Sequence, residues 1–405
     1  MKNSPASRRW LLLALGVVSL LFAGVIYSWS ILKAPLAAEF GWTADKLALN
    51  YTLSLIFFCL GGLASGLLAA RVSSRLRLGC AALLAFLGFF MTSRLTGHLL
   101  GLYLSYGCLA ALGIGITYNT VISETNAWFP DRSGLSSGAL MMGFGFSTLL
   151  LGNLCGRLMD LPAFGWRKTF VLLAVGLGAV LLCAACFLRR PNSDERSRLP
   201  AAPDRRRTDA FQGLELSSGE MLRRPSFWKL FLFLVLLNAV GVTAISFAKD
   251  FAQTLGYAPT MAVTLVGLLA VGNGLGRLTS GGVFDSLGVN AAKYCASFFA
   301  LLAPALAWLG LRAASPLVGA AGLIRCGVAY GFAPTLSAAL VRSFYGARHF
   351  PLNFSLSNLG LLPAAFFPTL TGRMIAASGD YAACFLLLLA ASTLGLVLNL
   401  TLRRP

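Results

Sequence analysis

Charge is scarce in this sequence. Charged residues make up 12% of its 405 positions, about half the share of an ordinary soluble domain. That excludes a water-soluble fold. Histidine is nearly missing: His98 and His349 are the only two, both beside expected loops. No Ser/His/Asp arrangement, HExxH or Walker A motif occurs, so the chain is not read as an enzyme. The nine cysteines are scattered, mostly in apolar segments. The one CxxC, Cys183 and Cys186, lies mid-helix in VLLCAACFLRR without a second pair. The thiols read as small packing residues, and no metal or cofactor is expected. Gly272, Gly274 and Gly276 follow no strand, which excludes a dinucleotide-binding turn. No cleavable leader is evident. The first apolar run, WLLLALGVVSLLFAGVIYSWSIL, is long enough to span and lacks a small-x-small cleavage site.

Long apolar runs are what the sequence does have. Hydrophobic residues reach 57%, and mean hydropathy is +0.76. Runs of roughly 20 apolar residues cross a bilayer as helices. Twelve are expected, at 10–32, 47–70, 78–93, 99–123, 136–158, 168–188, 228–248, 261–284, 293–311, 316–341, 352–375 and 382–401. The chain therefore reads as an all-α, multi-pass protein of the cell (plasma or inner) membrane, in contact with lipid. Residues 189–227 are polar, Pro-containing and charge-dense. They read as a cytoplasmic linker between six-helix bundles at 1–188 and 228–405.

The net charge is +19. In a soluble protein it would suggest nucleic acid; here basic residues set topology instead, and no nucleic-acid partner is expected. With the N-terminus in the cytoplasm, 22 of the 33 Lys and Arg fall in cytoplasmic segments. Both termini are therefore expected inside. The halves also resemble each other. Gly156-Arg157 falls on Gly372-Arg373 at an offset of 216 residues. Two parallel six-helix repeats with a midplane site form a transporter architecture.

Arg277 stands well inside the run 261–284. A guanidinium keeps its proton in proteins, and placing it near a bilayer centre costs at least ~2.5–3.5 kcal/mol. No acid lies at its depth, so its expected partner is an anion, and its planar fork suits a carboxylate. Arg325 lies in the outer half of its helix; it is either a second cation of the site or a snorkelling residue. Tyr27, Tyr118, Asn119, Asn273, Tyr330 and Asn358 are polar groups within spans that could line a path or donate to an anion. Each could instead hold two helices together. Asp285 reads as a gating residue that bonds a facing helix end, with Arg71 at the matching place in the first half. Glu124 is the only spare intramembrane acid and the candidate for proton coupling.

Three phrases carry a family resemblance. YSWSILKAPLAAEFGWT, WFPDRSGLSSGALMMGFGFS and NGLGRLTSGGVFDSLG resemble patterns of the major facilitator superfamily, in particular its oxalate/formate antiporter and monocarboxylate transporter group. The resemblance implies the major facilitator fold, with Arg277 on a substrate carboxylate and aromatics at Tyr27 and Tyr118 lining the cavity. Two departures matter. Members that bind the oxalate dianion carry a lysine in the eleventh helix, and FPLNFSLSNLGLLPAAFFPTLTGRM has none. Proton-coupled animal relatives carry an aspartate where Asn273 stands. The expectation is a monomeric secondary or exchange transporter of a small monocarboxylate such as lactate, pyruvate or formate. A coupled proton or counter-anion is left open. The alternatives are an oxalate-like dicarboxylate antiporter, an exporter of another anionic or amphiphilic solute, and a transporter-like carboxylate sensor.

Overall fold

The computed structural model describes residues 5–200 and 214–405. Among these residues, eleven helical segments are long and apolar enough to cross a membrane. We label them in chain order: α1 Arg8–Phe40, α2 Leu49–Leu68, α3 Ser74–Ser93, α4 Leu99–Asn126, α5 Ser133–Asp160, α6 Gly165–Phe187 and α7 Pro225–Thr254. The eighth, Thr260–Arg312, is 53 residues long, far beyond the ~20 residues a crossing needs. Gly288 interrupts it with φ 89° and ψ −177°, backbone angles that a side chain disfavours. It therefore counts as two crossings, α8 (260–287) and α9 (289–312). α10 Pro316–Tyr345, α11 Phe350–Ile375 and α12 Ala382–Thr401 complete the expected twelve.

Helix ends follow local chemistry. Ser73 caps α3, its Oγ accepting from Leu76 N at 3.3 Å. α7 and α10 open on Pro225 and Pro316, where proline's missing N–H loses no helical bond. Large apolar side chains such as Phe298, Leu317 and Phe366 lie exposed; lipid tails cover such surface in a bilayer.

Two compact units are resolved, Met1–Asp131 with Gly143–Ala201 and Arg132–Met142 with Ala202–Pro405. The second takes in the opening turns of α5, a detail the sequence does not announce. In the first unit, α3 packs on α6 and α4, and α2 packs on α4. Glycines make the α2–α4 contact close: a Cβ on Gly115 would overlap the Phe58 carbonyl. In the second, α10 packs on α7 and on the α8–α9 segment. Phe251, Leu269, Leu323, Phe385 and Leu388 are among the buried residues there.

Four spans are not regular α-helices. α1 tightens to 3-10 geometry at Gly24–Ser28, and α4 and α5 widen to π geometry at Tyr103–Ala110 and Thr148–Gly152. α11 is broken into Phe350–Asn358, Leu361–Ala364 and Phe367–Ser378. Such departures cluster at functional sites in helical proteins, and interrupted helices recur at transporter sites. The described ends of the expected linker are anchored. Glu195 accepts from Arg189 at 2.7 Å and Arg8 at 3.1 Å, and Arg189 holds its carboxyl down at about 2. Glu215 accepts from Arg348 N at 2.7 Å. The middle of the linker, 201–213, lies outside the described residues.

Candidate substrate-binding site

In the second unit, glycine brings α10 against α8. A Cβ on Gly331 would overlap Asn273 O and come within 2.8 Å of Arg277 N. This crossing sets Asn273, Arg277 and Tyr330 in one neighbourhood. Arg277 is 2% exposed. Its Nε donates to Asn273 Oδ1 at 3.2 Å, one turn earlier, and its Nη1 donates to the Met141 carbonyl of α5 at 2.7 Å. No carboxylate lies in salt-bridge range of it among the described residues. Asn273 is 8% exposed. Tyr330 is buried, its ring filling the space above Gly241 of α7.

Arg325 is not brought to this group. It is half-buried, and its Nη1 returns to Ala321 O of its own helix at 3.2 Å. Asn358 ends the first piece of α11, near the Ser337–Ser357 hydroxyl pair at 2.7 Å.

Asp285 sits two turns beyond Arg277 on α8. Its carboxylate accepts from Gly134 N at 2.9 Å and Leu135 N at 2.6 Å, the free amides at the start of α5. A carboxylate there also meets the positive end of the helix dipole. The approach is close enough that a Cβ on Gly281 would overlap Gly134 O. Asp285→Asn keeps the shape but removes the charge and one acceptor. Loss of charge-assisted bonds should cost about 1.5–3 kcal/mol and raise amide exchange across 133–141; unchanged exchange would rule out a clasp. Arg71 is exposed in the turn after α2.

The first unit holds the remaining expected residues in two groups. Tyr27 lies in the 3-10 turn of α1, edge-on to Phe144 at 5.2 Å. Tyr118 packs edge-on against Phe144 at 5.1 Å and Phe58 at 5.2 Å. Asn119, the next residue, points elsewhere. It accepts from Ser65 at 3.3 Å, and Ser65 also bonds Thr120 at 2.8 Å. This chain leads to Arg77, whose Nη1 donates to Ser65 Oγ at 3.1 Å and whose Nη2 pairs with Glu124 at 2.8 Å. Arg190 reaches the other oxygen of Glu124 at 3.4 Å. Arg77 and Glu124 each expose 3% of their side chains. The sequence does not announce this pair, because Arg77 lies beside a basic turn and counts with the cytoplasmic cations. Its signal was an acid without a partner at Glu124.

The family model of the Major Facilitator Superfamily matches residues 12–368. The chain belongs to this superfamily. It is a multi-pass membrane transporter, and the expected resemblance holds. Among superfamily relatives, the uncharacterized MFS-type transporter YhjX of Escherichia coli is 26% identical over 87% of this chain and 84% of its own. The oxalate:formate antiporter of Oxalobacter formigenes is 24% identical over 84% of this chain and 80% of its own. Human monocarboxylate transporter 12 is 26% identical over 81% and 66%. Among solved structures, the MFS proton:xylose symporter XylE matches with a TM-score of 0.78 at 14% identity, over 98% of this chain and 95% of that one. That likeness supports the twelve-helix major facilitator fold.

Proposed function

We propose that this transporter carries a small organic monocarboxylate by alternating access, with the carboxylate on Arg277. One observation carries the reading: a guanidinium 2% exposed, on a membrane span, with no acid beside it among the described residues. Its partners are a neutral amide and a neutral carbonyl, which orient the charge without cancelling it. An unpaired buried cation is costly, and a bound carboxylate relieves that cost. The relatives whose names include formate and monocarboxylates agree with this chemistry. Asp285 and Arg71 are proposed to act in gating. The aromatic groups around Tyr27 and Tyr118 are proposed to face apolar parts of the path. Both termini are proposed to be cytoplasmic, from the distribution of basic residues.

Exchange of an oxalate-like dicarboxylate is a second reading, favoured by the Oxalobacter relative. It asks for a second cation near Arg277. Arg325, the candidate for that role, is bonded to its own helix.

The test is thermal stabilisation of the purified protein by mono- and dicarboxylates. A ligand at about 100 times its dissociation constant adds about 2.7 kcal/mol of stability. A shift with monocarboxylates supports the reading; shifts with dicarboxylates alone favour the second, and none with any carboxylate removes both. In vesicles, counterflow should outrun net efflux, because the empty site leaves Arg277 unpaired as the transporter switches. Equal rates would contradict that ordering.

A further inference from the structure

Cations near the ends of the spans are treated differently in the two units. In the first, Arg8 and Arg189 pair with Glu195, and Arg190 pairs with Glu124. In the second, Arg223, Arg224, Lys229 and Arg403 have no ion pair among the described residues. The first three and Arg403 are all exposed. The acid closest in sequence to the α7 group, Glu220, spends its carboxylate on Ser217 N at 2.7 Å and Ser217 Oγ at 2.6 Å. Ser217 holds that carboxyl below its usual range, and Arg224 adds only a minor part.

A short helical turn, Ser218–Leu222, precedes α7. Trp228 fastens the two into an elbow: its Nε1 donates to Leu222 O at 2.9 Å, and its ring meets Phe227 at 5.3 Å and Phe231 at 5.9 Å. The indole N–H is thus satisfied within the protein, yet the residue is 55% exposed. Positions 225, 228, 229 and 232 share one helix face, and all four are exposed. That face grades from Arg223 and Arg224 ahead of the helix, through Lys229 and Trp228, to the apolar Leu232. α12 packs beside α7, where a Cβ on Gly395 would lie 3.7 Å from Leu236 Cβ. From Leu236 back to Lys229, and from Gly395 on to Arg403, is roughly 11 Å of chain at helical rise, so both cations stand at the same end of the unit.

These charges stand where a membrane span begins, so the layer they meet is that of the lipid headgroups. A free anion would match the cations but not the ring and Leu232. An acyl chain would match only the ring and Leu232. A phospholipid answers both. A zwitterionic headgroup carries its own ammonium, which offsets its phosphate, whereas unpaired basic clusters beside a span attract headgroups of net negative charge. We propose that the start of α7 is a binding site for an anionic phospholipid, with its phosphate on Arg223, Arg224 and Lys229, Arg403 at the side, and the upper part of a chain along Trp228 and Leu232. Every span touches lipid; this site selects lipid by charge. The elbow is also tied to α11, because Ser218 Oγ donates to Asn353 Oδ1 at 2.7 Å and Asn353 Nδ2 donates to Leu216 O at 3.1 Å. A lipid held there therefore braces the junction of α7 and α11. The proposal does not depend on which solute is carried.

The experiment titrates the purified full chain, in a neutral detergent, with phosphatidylglycerol, phosphatidylcholine or inorganic phosphate and reads thermal unfolding. Phosphatidylglycerol should stabilise at concentrations where the other two do not, and added salt should weaken the effect. The triple change Arg223→Gln, Arg224→Gln and Lys229→Gln should raise the phosphatidylglycerol needed for half the shift on the order of a hundredfold, at about fivefold per cation. Arg75→Gln, Arg196→Gln and Arg198→Gln together remove the same charge from exposed positions of the first unit and should keep the wild-type response. An equal shift with phosphatidylcholine overturns the proposal, because charge then selects nothing. An equal shift with inorganic phosphate overturns it in favour of a free anion. A phosphatidylglycerol response that survives the α7 triple, or that is lost equally in the control triple, also overturns it. Should the α7 triple not fold, Lys229→Gln alone should weaken the response about fivefold, and an unchanged response there overturns the proposal as well.

Discussion

Arg277→Gln should abolish carboxylate binding while leaving a folded protein. Truncating one partner of a buried, charge-assisted contact typically costs about 2–5 kcal/mol, or about 30-fold to several thousand-fold in affinity. Glutamine can still bond Asn273 or the Met141 carbonyl, but it presents no positive fork. Unliganded stability should fall little, because loss of the Met141 bond at 2.7 Å is offset by removal of a buried charge. Arg277→Lys is the informative companion. It keeps the charge but loses the planar fork and the Nε bond to Asn273, so it should bind weakly. Thermal shift with and without a carboxylate reads both. A variant that unfolds, or one that binds normally, would return Arg277 to a structural role.

Glu124→Gln should have the opposite profile: a large loss of stability with transport chemistry intact in the protein that remains. Both oxygens of Glu124 face guanidiniums, at 2.8 Å from Arg77 and 3.4 Å from Arg190. Arg190 is 44% exposed and can turn to solvent; Arg77 cannot. Breaking a buried pair from one side costs about 3–5 kcal/mol, because the surviving charge stays behind. The double change Arg77→Met with Glu124→Leu should recover most of it, and a double-mutant cycle measures the coupling. The proton-coupling role considered for Glu124 makes the reverse prediction. Under it, Glu124→Gln stays stable and its transport loses pH dependence.

The spans were legible in the sequence because each needs about 20 apolar residues in a row, and helix breakers mark their ends. Arg277 was legible for the same reason: a permanent charge stands out against an apolar run. What surrounds it was not. The Met141 carbonyl is a backbone acceptor and has no sequence signature. The Arg77–Glu124 pair was missed because Arg77 opens α3 near a basic turn, where counting loop charges absorbs it. Asn119 was grouped with Tyr118 as a neighbour in sequence, yet successive helical residues point about 100° apart. In the structure one packs on aromatics and the other on hydroxyls. Asn273 was legible as a polar residue, but the direction of its amide required the Nε donor in view.

The interruption at Gly288 fixes parity. Read as one unbroken element, Thr260–Arg312 gives eleven passages, and an odd number puts the two chain ends in different compartments. One residue with φ 89° raises the number to twelve, the even number that the proposed cytoplasmic placement of both ends requires. Under that proposal, reporters fused at the two ends should give the same answer.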